Sequence, residues 1–330
     1  MQRNDRIGRG LKLKDLHTFR AVVQRGSMSK AAADLALTPP AISKAIGDME
    51  KLLGVSLLER TPQGVTATVY GEALLKGSVN LFDELKQTVE QIAFLADPTV
   101  GEVRIGTMDT SLGSLLPVVI DRLSRLHPRM VFHVTTANIL DELRSALRAR
   151  AIDVFVTRLN TEPEEDIEKE ALFDDPLVVI TGRDNPRFRR GGVKLAQMVD
   201  EAWCLPHATH VIGALIRQAF RANGLALPNV CVTCVSMQLQ TALAETGRFF
   251  TVVPASYLRF RSNKDSLRIV PVDLHVSPPP IGIATLKNRM VSPVTKLFIE
   301  CARAVARDGM LSERKGKTAV SGAAQAKSKF

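Results

Sequence analysis

The chain is poor in cysteine, with 4 in 330 residues, and its first ten residues are charged and polar instead of forming an apolar leader. These two absences argue against a disulfide-stapled secreted fold and lead to the expectation of free thiols in a reducing, cytoplasmic setting. No apolar run approaches the roughly 18 residues that cross a bilayer, so no membrane partner is expected. Aromatic residues make up only 5% against a hydrophobic fraction of 45%, the composition of an ordinary soluble α/β protein with an aliphatic core. Also missing are a nucleophile elbow, a phosphate-binding loop, a His-Glu-x-x-His helix and a catalytic pair of carboxylates. An enzyme is therefore not expected, nor any cofactor or catalytic residue.

Excess charge is missing from the middle of the chain. Residues 1–70 hold 11 Lys/Arg against 6 Asp/Glu and residues 311–330 hold 5 against 1, which leaves +1 of the total +10 for the 240 residues between. A basic N-terminal end on a near-neutral body suits a polyanionic partner read at that end, although solubilising charge gives the same count.

Within that end, Leu16, Phe19 and Val23 recur at helical spacing until Gly26 stops the helix, and Ser27 or Ser29 caps the next. A short Ala-rich helix follows through Lys30–Leu35. Thr38 then caps a third helix with Pro39 and Pro40 in its first turn, where a missing N–H costs nothing. Ile42, Ile46, Met49 and Leu53 form its inward stripe, while Pro40, Ser43, Lys44, Gly47 and Lys51 face out. Such a short-chained, basic face suits a major groove, and equally a solvated surface. Val55–Arg60, the turn Thr61–Gly64 and Val65–Thr68 read as a hairpin wing that would set Arg60 and Gln63 beside a DNA backbone or minor groove.

From Leu13 to Leu74 these residues resemble the LysR-type transcriptional regulators: Phe19, Val23, Gly26-Ser27, Ala31-Ala32, Leu35, the run Thr38–Ser43, Ile46, Glu50, Leu53-Gly54, Leu57-Leu58, Arg60, and Gly64-Val65 to Gly71. The resemblance implies a winged helix-turn-helix whose DNA-binding residues are Ser27, Ser29, Thr38, Pro39, Pro40, Ser43, Lys44, Gly47, Lys51, Arg60 and Gln63. Two positions depart from the family pattern. Pro39 stands where many members place Gln, so that base contact must be absent or come from Ser43 or Lys44, and Ala67-Thr68 replaces a Leu-Thr. The partners implied are double-stranded operator DNA, a small-molecule effector, a second or further copy of the chain, and RNA polymerase.

From Gly71 to Ala96 the residues Leu75, Ser78, Phe82, Leu85, Val89, Ile92 and Ala96 repeat with alternating spacings of three and four. This is a heptad seam suited to pairing two helices across subunits through Leu75, Phe82, Leu85, Val89 and Ile92, or to packing within one domain. Asp97-Pro98 ends it. Beyond that point strands and helices alternate, giving an α/β fold with a mostly parallel sheet and ligands at the carboxyl ends of its strands. The resemblance implies a periplasmic-binding-protein-like pair of subdomains. The expected organisation is a winged helix-turn-helix over 1–70, a linker helix over 71–97, an effector-binding domain over 98–310 and a disordered basic tail over 311–330. Within the effector-binding domain, one lobe takes about 100–172 and 274–310, and the other about 173–273.

Candidate effector contacts are Thr107, Asp109, Thr110 and Ser111 in a strand-to-helix loop, Thr157 closing a strand, and His207, Thr209, His210 and Ser236 facing them. The loop hydroxyls suit a carboxylate or sugar acid, and suit ordinary helix capping equally. Arg158 is expected in solvent. His207-x-x-His210 and Cys231-x-x-Cys234 have ligand-like spacing, but residues three apart on a strand point to opposite faces, so buried thiols are expected and no metal site or redox role. The acidic run from Glu162 to Glu170 reads as a solvated loop.

Overall fold

A computed structural model of the chain describes residues 10–62, 64–160, 162–185, 193–260 and 266–308. The expected tail over 311–330 lies outside them. The described chain divides into two compact units at Val89/Glu90.

In the first unit, helices α1 (Leu13–Arg25), α2 (Met28–Asp34) and α3 (Pro39–Leu53) enclose a core of Leu16, Phe19, Val22, Ala31, Ala32, Ile42, Ile46, Met49 and Leu57. Val22 takes the buried place next to Phe19 and Val23 packs at its margin; Leu53 is likewise only partly buried. Ala31 and Ala32 carry nothing beyond Cβ, so α2 can lie close against its neighbours. Gly26 ends α1 in the left-handed region at φ 60°, and Ser27 is the cap of α2, its hydroxyl accepting from Lys30 N at 3.4 Å.

The wing is an antiparallel hairpin of β1 (Leu58–Thr61) and β2 (Gly64–Ala67), with Leu58 opposite Ala67 and Thr61 opposite Gly64. Two contacts fix it to the helices. Glu50 Oε1 accepts from the backbone N–H groups of Leu57 and Leu58 at 2.7 and 3.3 Å, and Val65 N donates to Gly26 O at 2.8 Å. Gly64 is required at that crossing: its φ is 136°, and a Cβ would sit 2.3 Å from Gly26 O.

Helix α4 (Val69–Ala96) is 28 residues long and begins two residues before the linker helix expected over 71–97. Its two halves behave differently. Leu74, Leu75 and Phe82 pack against the core of the first unit, where Phe82 also meets the His17 ring edge-on at 6.0 Å and the Arg20 guanidinium at 5.0 Å from its ring centroid. Leu85, Val89 and Ile92 remain 44, 58 and 62% exposed. The seam expected from Leu75 onward is therefore open only in its second half, because the small three-helix core takes up the first.

The second unit holds two sheets. Strands β3 (Val100–Met108), β4 (Arg129–Ala137), β5 (Val154–Arg158), β6 (Ile167–Phe173) and a late strand, Ile281–Leu286, form a five-stranded sheet in the order β4, β3, β5, the late strand, β6. β3 runs parallel to β4 and β5, but the late strand is antiparallel to both β5 and β6. Four of its five described strands therefore point the same way, in keeping with the expected mostly parallel sheet, and the late strand is reversed because it returns after the chain has built the other lobe. That other lobe pairs β7 (Leu177–Gly182), β8 (Trp203–Leu205), β9 (Val230–Thr233), β10 (Thr251–Pro254) and β11 (Leu267–Val270). β7 lies between β10 and β11, β8 beside β9, and a single bridge between Trp203 and Phe250 joins the two groups. The late strand is β12.

Helices cover these sheets. α5 (Asp109–Leu112), α6 (Leu115–Leu126) and α7 (Leu140–Arg148) belong to the first lobe, and α8 (Val211–Ala222), α9 (Met237–Glu245) and α10 (Ala255–Phe260) to the second. A final helix, α11 (293–308), returns to the first lobe, whose core joins Val294 and Phe298 to Val103, Ile105 and Leu115. The second core is centred on Trp203, Phe220 and Phe250. Residues 162–166 are the loop that was expected, but β6 corrects that reading over 167–170. Its charges hide a strand because it is a sheet edge, where charged side chains are favoured, and Glu170 is held there by a bidentate pair with Arg303 at 2.7 Å.

Candidate functional site

Two surfaces bring the singled-out residues together. On the first unit, Ser27, Met28, Ser29, Pro39, Pro40, Ser43, Thr61, Gly64 and Val65 line one open groove of about 490 Å³ between the start of α2, the start of α3 and the wing. Thr38 is engaged as a cap, accepting from Ala41 N at 3.4 Å. Lys44 and Lys51 are exposed farther along α3. Gly47 lies between them, and a Cβ built there would meet nothing within 4 Å. The side chains of Arg60, Gln63 and Thr110 lie outside what the structure describes.

On the second unit, a cavity of about 190 Å³ opens between the lobes at the carboxyl ends of β3 and β5. Met108, Asn138, Ile139, Leu140, Thr157 and Arg158 line it from the first lobe, and Thr209, His210, Val211 and Ile212 from the second. The candidates Thr157, Thr209 and His210 thus meet in one place. Others are engaged elsewhere. Thr107 Oγ1 donates to Val156 O at 2.8 Å inside the sheet, Ser236 Oγ caps α9 by accepting from Leu239 N at 3.4 Å, and the exposed His207 bonds Thr209 Oγ1 at 3.0 Å. Asp109 spans the lobes, its Oδ2 accepting from Met237 N at 2.6 Å. Ser111 is fully buried with an unpaired hydroxyl, although it does not line this cavity.

Arg158 overturns the expectation of solvent exposure. Its side chain is 7% exposed and wedged where both inter-lobe connections pass. Nη1 donates to Pro279 O at 2.9 Å on one connection, and Nη2 donates to Asp175 O at 2.8 Å on the other. Asp175 in turn accepts from Ser256 N and Oγ at 2.9 and 2.7 Å. Arg158 Nε and Thr157 Oγ1 have no hydrogen-bond partner among the described residues. Burial, partly offset by the Asp175 carboxylate, pulls the Arg158 pKa below its ordinary value. The signal that would have located Arg158 is its place at the carboxyl end of the wholly buried β5, where α/β sheets bind ligands.

His210 is pulled below its usual pKa by burial, so at neutral pH it is uncharged; Nδ1 accepts from Ile212 N at 3.3 Å, which leaves the proton on Nε2. The thiols do not share one fate. Cys204 and Cys301 are buried, but Cys231 is exposed and Cys234 half-buried, which corrects the expectation that all are core thiols. Burial, with a smaller contribution from Cys234, pushes Cys204 up to about 11. Among the described residues no group of three or more His, Cys, Asp or Glu side chains could hold a metal ion, and no helix is long and apolar enough to cross a membrane.

A winged helix-turn-helix joined to a two-lobed α/β unit with a polar-floored cleft defines a DNA-binding protein with a ligand-binding domain. Residues 13–72 match the model of the bacterial regulatory helix-turn-helix proteins of the lysR family, and residues 96–307 match the LysR substrate binding domain. The chain belongs to the LysR family of transcriptional regulators. It is similar to the HTH-type transcriptional regulator GbpR of Azospirillum brasilense, 28% identical over 89% of this chain and 86% of that one. It is also similar to TdcA of Escherichia coli K12, 26% identical over 88% and 92%. Among solved structures, its fold matches CbnR, a LysR family transcriptional regulator (TM-score 0.53, 23% identity, 89% of this chain and all of that one). It also matches ArgP from Mycobacterium tuberculosis (TM-score 0.64, 20% identity, 88% and 96%).

Proposed function

We propose that this regulator binds its operator through the α3 face and wing, pairs with another copy through Leu85, Val89 and Ile92, and responds to an organic acid held between the lobes of its second unit. The observation that carries the effector reading is the pair of unpaired buried groups, Arg158 Nε and Thr157 Oγ1, on the wall of a cavity that His210 also lines. A buried donor without a partner costs about 1–3 kcal/mol, and a carboxylate entering the cavity would offer an acceptor to such a group. The remaining wall is mostly apolar, from Met108, Ile139, Leu140, Val211 and Ile212, with Asn138 and Thr209 its other polar residues, and the volume is about that of six water molecules. A single-ring aromatic acid suits that lining better than a sugar acid, whose hydroxyls would meet too few partners.

The DNA half of the proposal rests on Lys44 and Lys51 beside the groove lined by Ser27, Ser29, Pro39, Pro40 and Ser43, with Thr38 holding the helix start and Arg60 and Gln63 assigned to the wing. Affinity for duplex DNA should fall steeply as salt is raised, and a flat response would contradict it.

A thermal-shift panel of benzoates, short aliphatic acids and sugar acids tests the effector class. The hydroxyl of Thr157 gives the sharper control. Thr157→Val removes an unpaired buried group, so the fold should be as stable or more stable, while the acid-induced shift is lost. Retention of the full shift in Thr157→Val would refute this site.

A further inference from the structure

The first turn of α3 lacks the usual chemistry of base recognition. In a major groove, guanine is read by Arg or Lys and adenine by Asn or Gln. Residues 38–43 are Thr-Pro-Pro-Ala-Ile-Ser and hold none of these. The Thr38 hydroxyl is engaged at Ala41 N, and neither proline has an N–H to offer. What the turn presents is bare apolar surface, since Pro39, Pro40 and Ala41 are all exposed. Both proline rings lie on the wall of the groove that Ser43, Thr61 and Val65 share. A helix start tolerates proline, which explains how the rings are accommodated. It does not explain why residues 39–41 offer no donor-bearing side chain on a face that goes on to carry Ser43 and Lys44.

The major groove offers one apolar group, the C5 methyl of thymine. We propose that Pro39, with Pro40 beside it, reads thymine methyls, so that base recognition at the tip of α3 is hydrophobic and Ser43 supplies the hydrogen bonding. A ring that loses almost no side-chain freedom on contact suits this role. The inference rests on the α3 face being the DNA face. It specifies what that face selects: A·T pairs oriented with the methyl toward residue 39, where an amide side chain would select adenine.

The test uses the full chain and a duplex recovered by it from a random-sequence library. Each thymine of the bound site is replaced singly by deoxyuridine, which removes only the methyl. One or two replacements should weaken binding about fourfold each, the effect expected for one buried carbon. In Pro39→Ala and Pro39→Gln, the loss at the thymine facing residue 39 should disappear while losses elsewhere persist; the melting temperature confirms that each variant is folded. No deoxyuridine-sensitive thymine, or the same sensitivity in both Pro39 variants, overturns the proposal. Lys44→Ala and Lys51→Ala separate this from failure of the underlying reading. If neither weakens binding to the same duplex, α3 is not the DNA face. If both weaken it and no thymine is sensitive, only methyl recognition falls.

Discussion

Gly47→Ala separates what the helix wants from what its surface does. Gly47 is an interior residue of α3, where glycine is about 1 kcal/mol less favourable than alanine. Apart from the neighbouring backbone of α3 itself, no atom of the described residues lies within 4 Å of the added methyl, so no clash offsets that gain. The unfolding transition of the N-terminal unit should therefore rise by roughly 4–8 °C, the response of a 60–100-residue domain to about 1 kcal/mol. DNA affinity should move the other way, because a methyl would stand between Lys44 and Lys51 on the face assigned to the groove. An overpacking cost of about 1–3 kcal/mol corresponds to a loss of roughly five- to 150-fold. Calorimetry of the full chain reads the first quantity, and fluorescence anisotropy with a selected duplex reads the second. A stabilised variant that binds DNA as tightly as the parent would show that Gly47 is a tolerated glycine with no part in close approach.

Asp153 is almost fully buried and takes hydrogen bonds from Arg104 Nη2, Nε and backbone N at 2.6, 3.1 and 2.9 Å and from Arg289 Nη2 at 2.9 Å. Asp153→Asn should cost about 3–5 kcal/mol, read as a shift in urea midpoint at pH 7. Burial pushes the Asp153 carboxyl up, but Arg104 and Arg289 outweigh it and hold the pKa below the ordinary value. Its contribution is therefore complete above about pH 4 and is lost as the pH falls through the lowered native value. A gap between parent and variant that stays constant down to pH 2 would contradict this. For the thiols, an alkylating reagent at pH 8 should label the exposed Cys231 quickly and leave Cys204, buried and raised to about 11, unmodified in the native protein. Comparable labelling rates for the two would show the second lobe opening readily.

The head was legible because its signals are local. Thr38, the two prolines and the stripe Ile42, Ile46, Met49 lie within twelve residues and state cap, start and inward face together. The linker was legible as a helix but not in its partners, since spacings of three and four describe a coiled-coil seam and a one-sided amphipathic helix alike; only the size of the neighbouring core decides that Phe82 turns inward. Arg158 was misjudged for a different reason. Its side chain bonds to Pro279, 121 residues away, and nothing near Arg158 in sequence announces that carbonyl. β6 was hidden by Glu168 and Glu170, whose charge is what an edge strand should carry and also what a loop carries.

The place of β12 has a consequence for synthesis. β5 pairs with β3 on one side but receives its second neighbour only when residues 281–286 emerge, after the entire second lobe has been made. At about 5–20 residues per second, the β5 edge waits on the order of ten seconds on the ribosome with its backbone groups open. β7 to β11, by contrast, come from one uninterrupted stretch and need no later strand, only the short segment to Val276 that completes their core. The lobe that begins second can therefore finish first, and it would fold as an insert inside a neighbour still missing the strand between β5 and β6. A nascent chain halted between Val276 and Ile281 would carry one finished lobe and one open sheet, the species on which a chaperone or a misdirected strand from another chain has most to act.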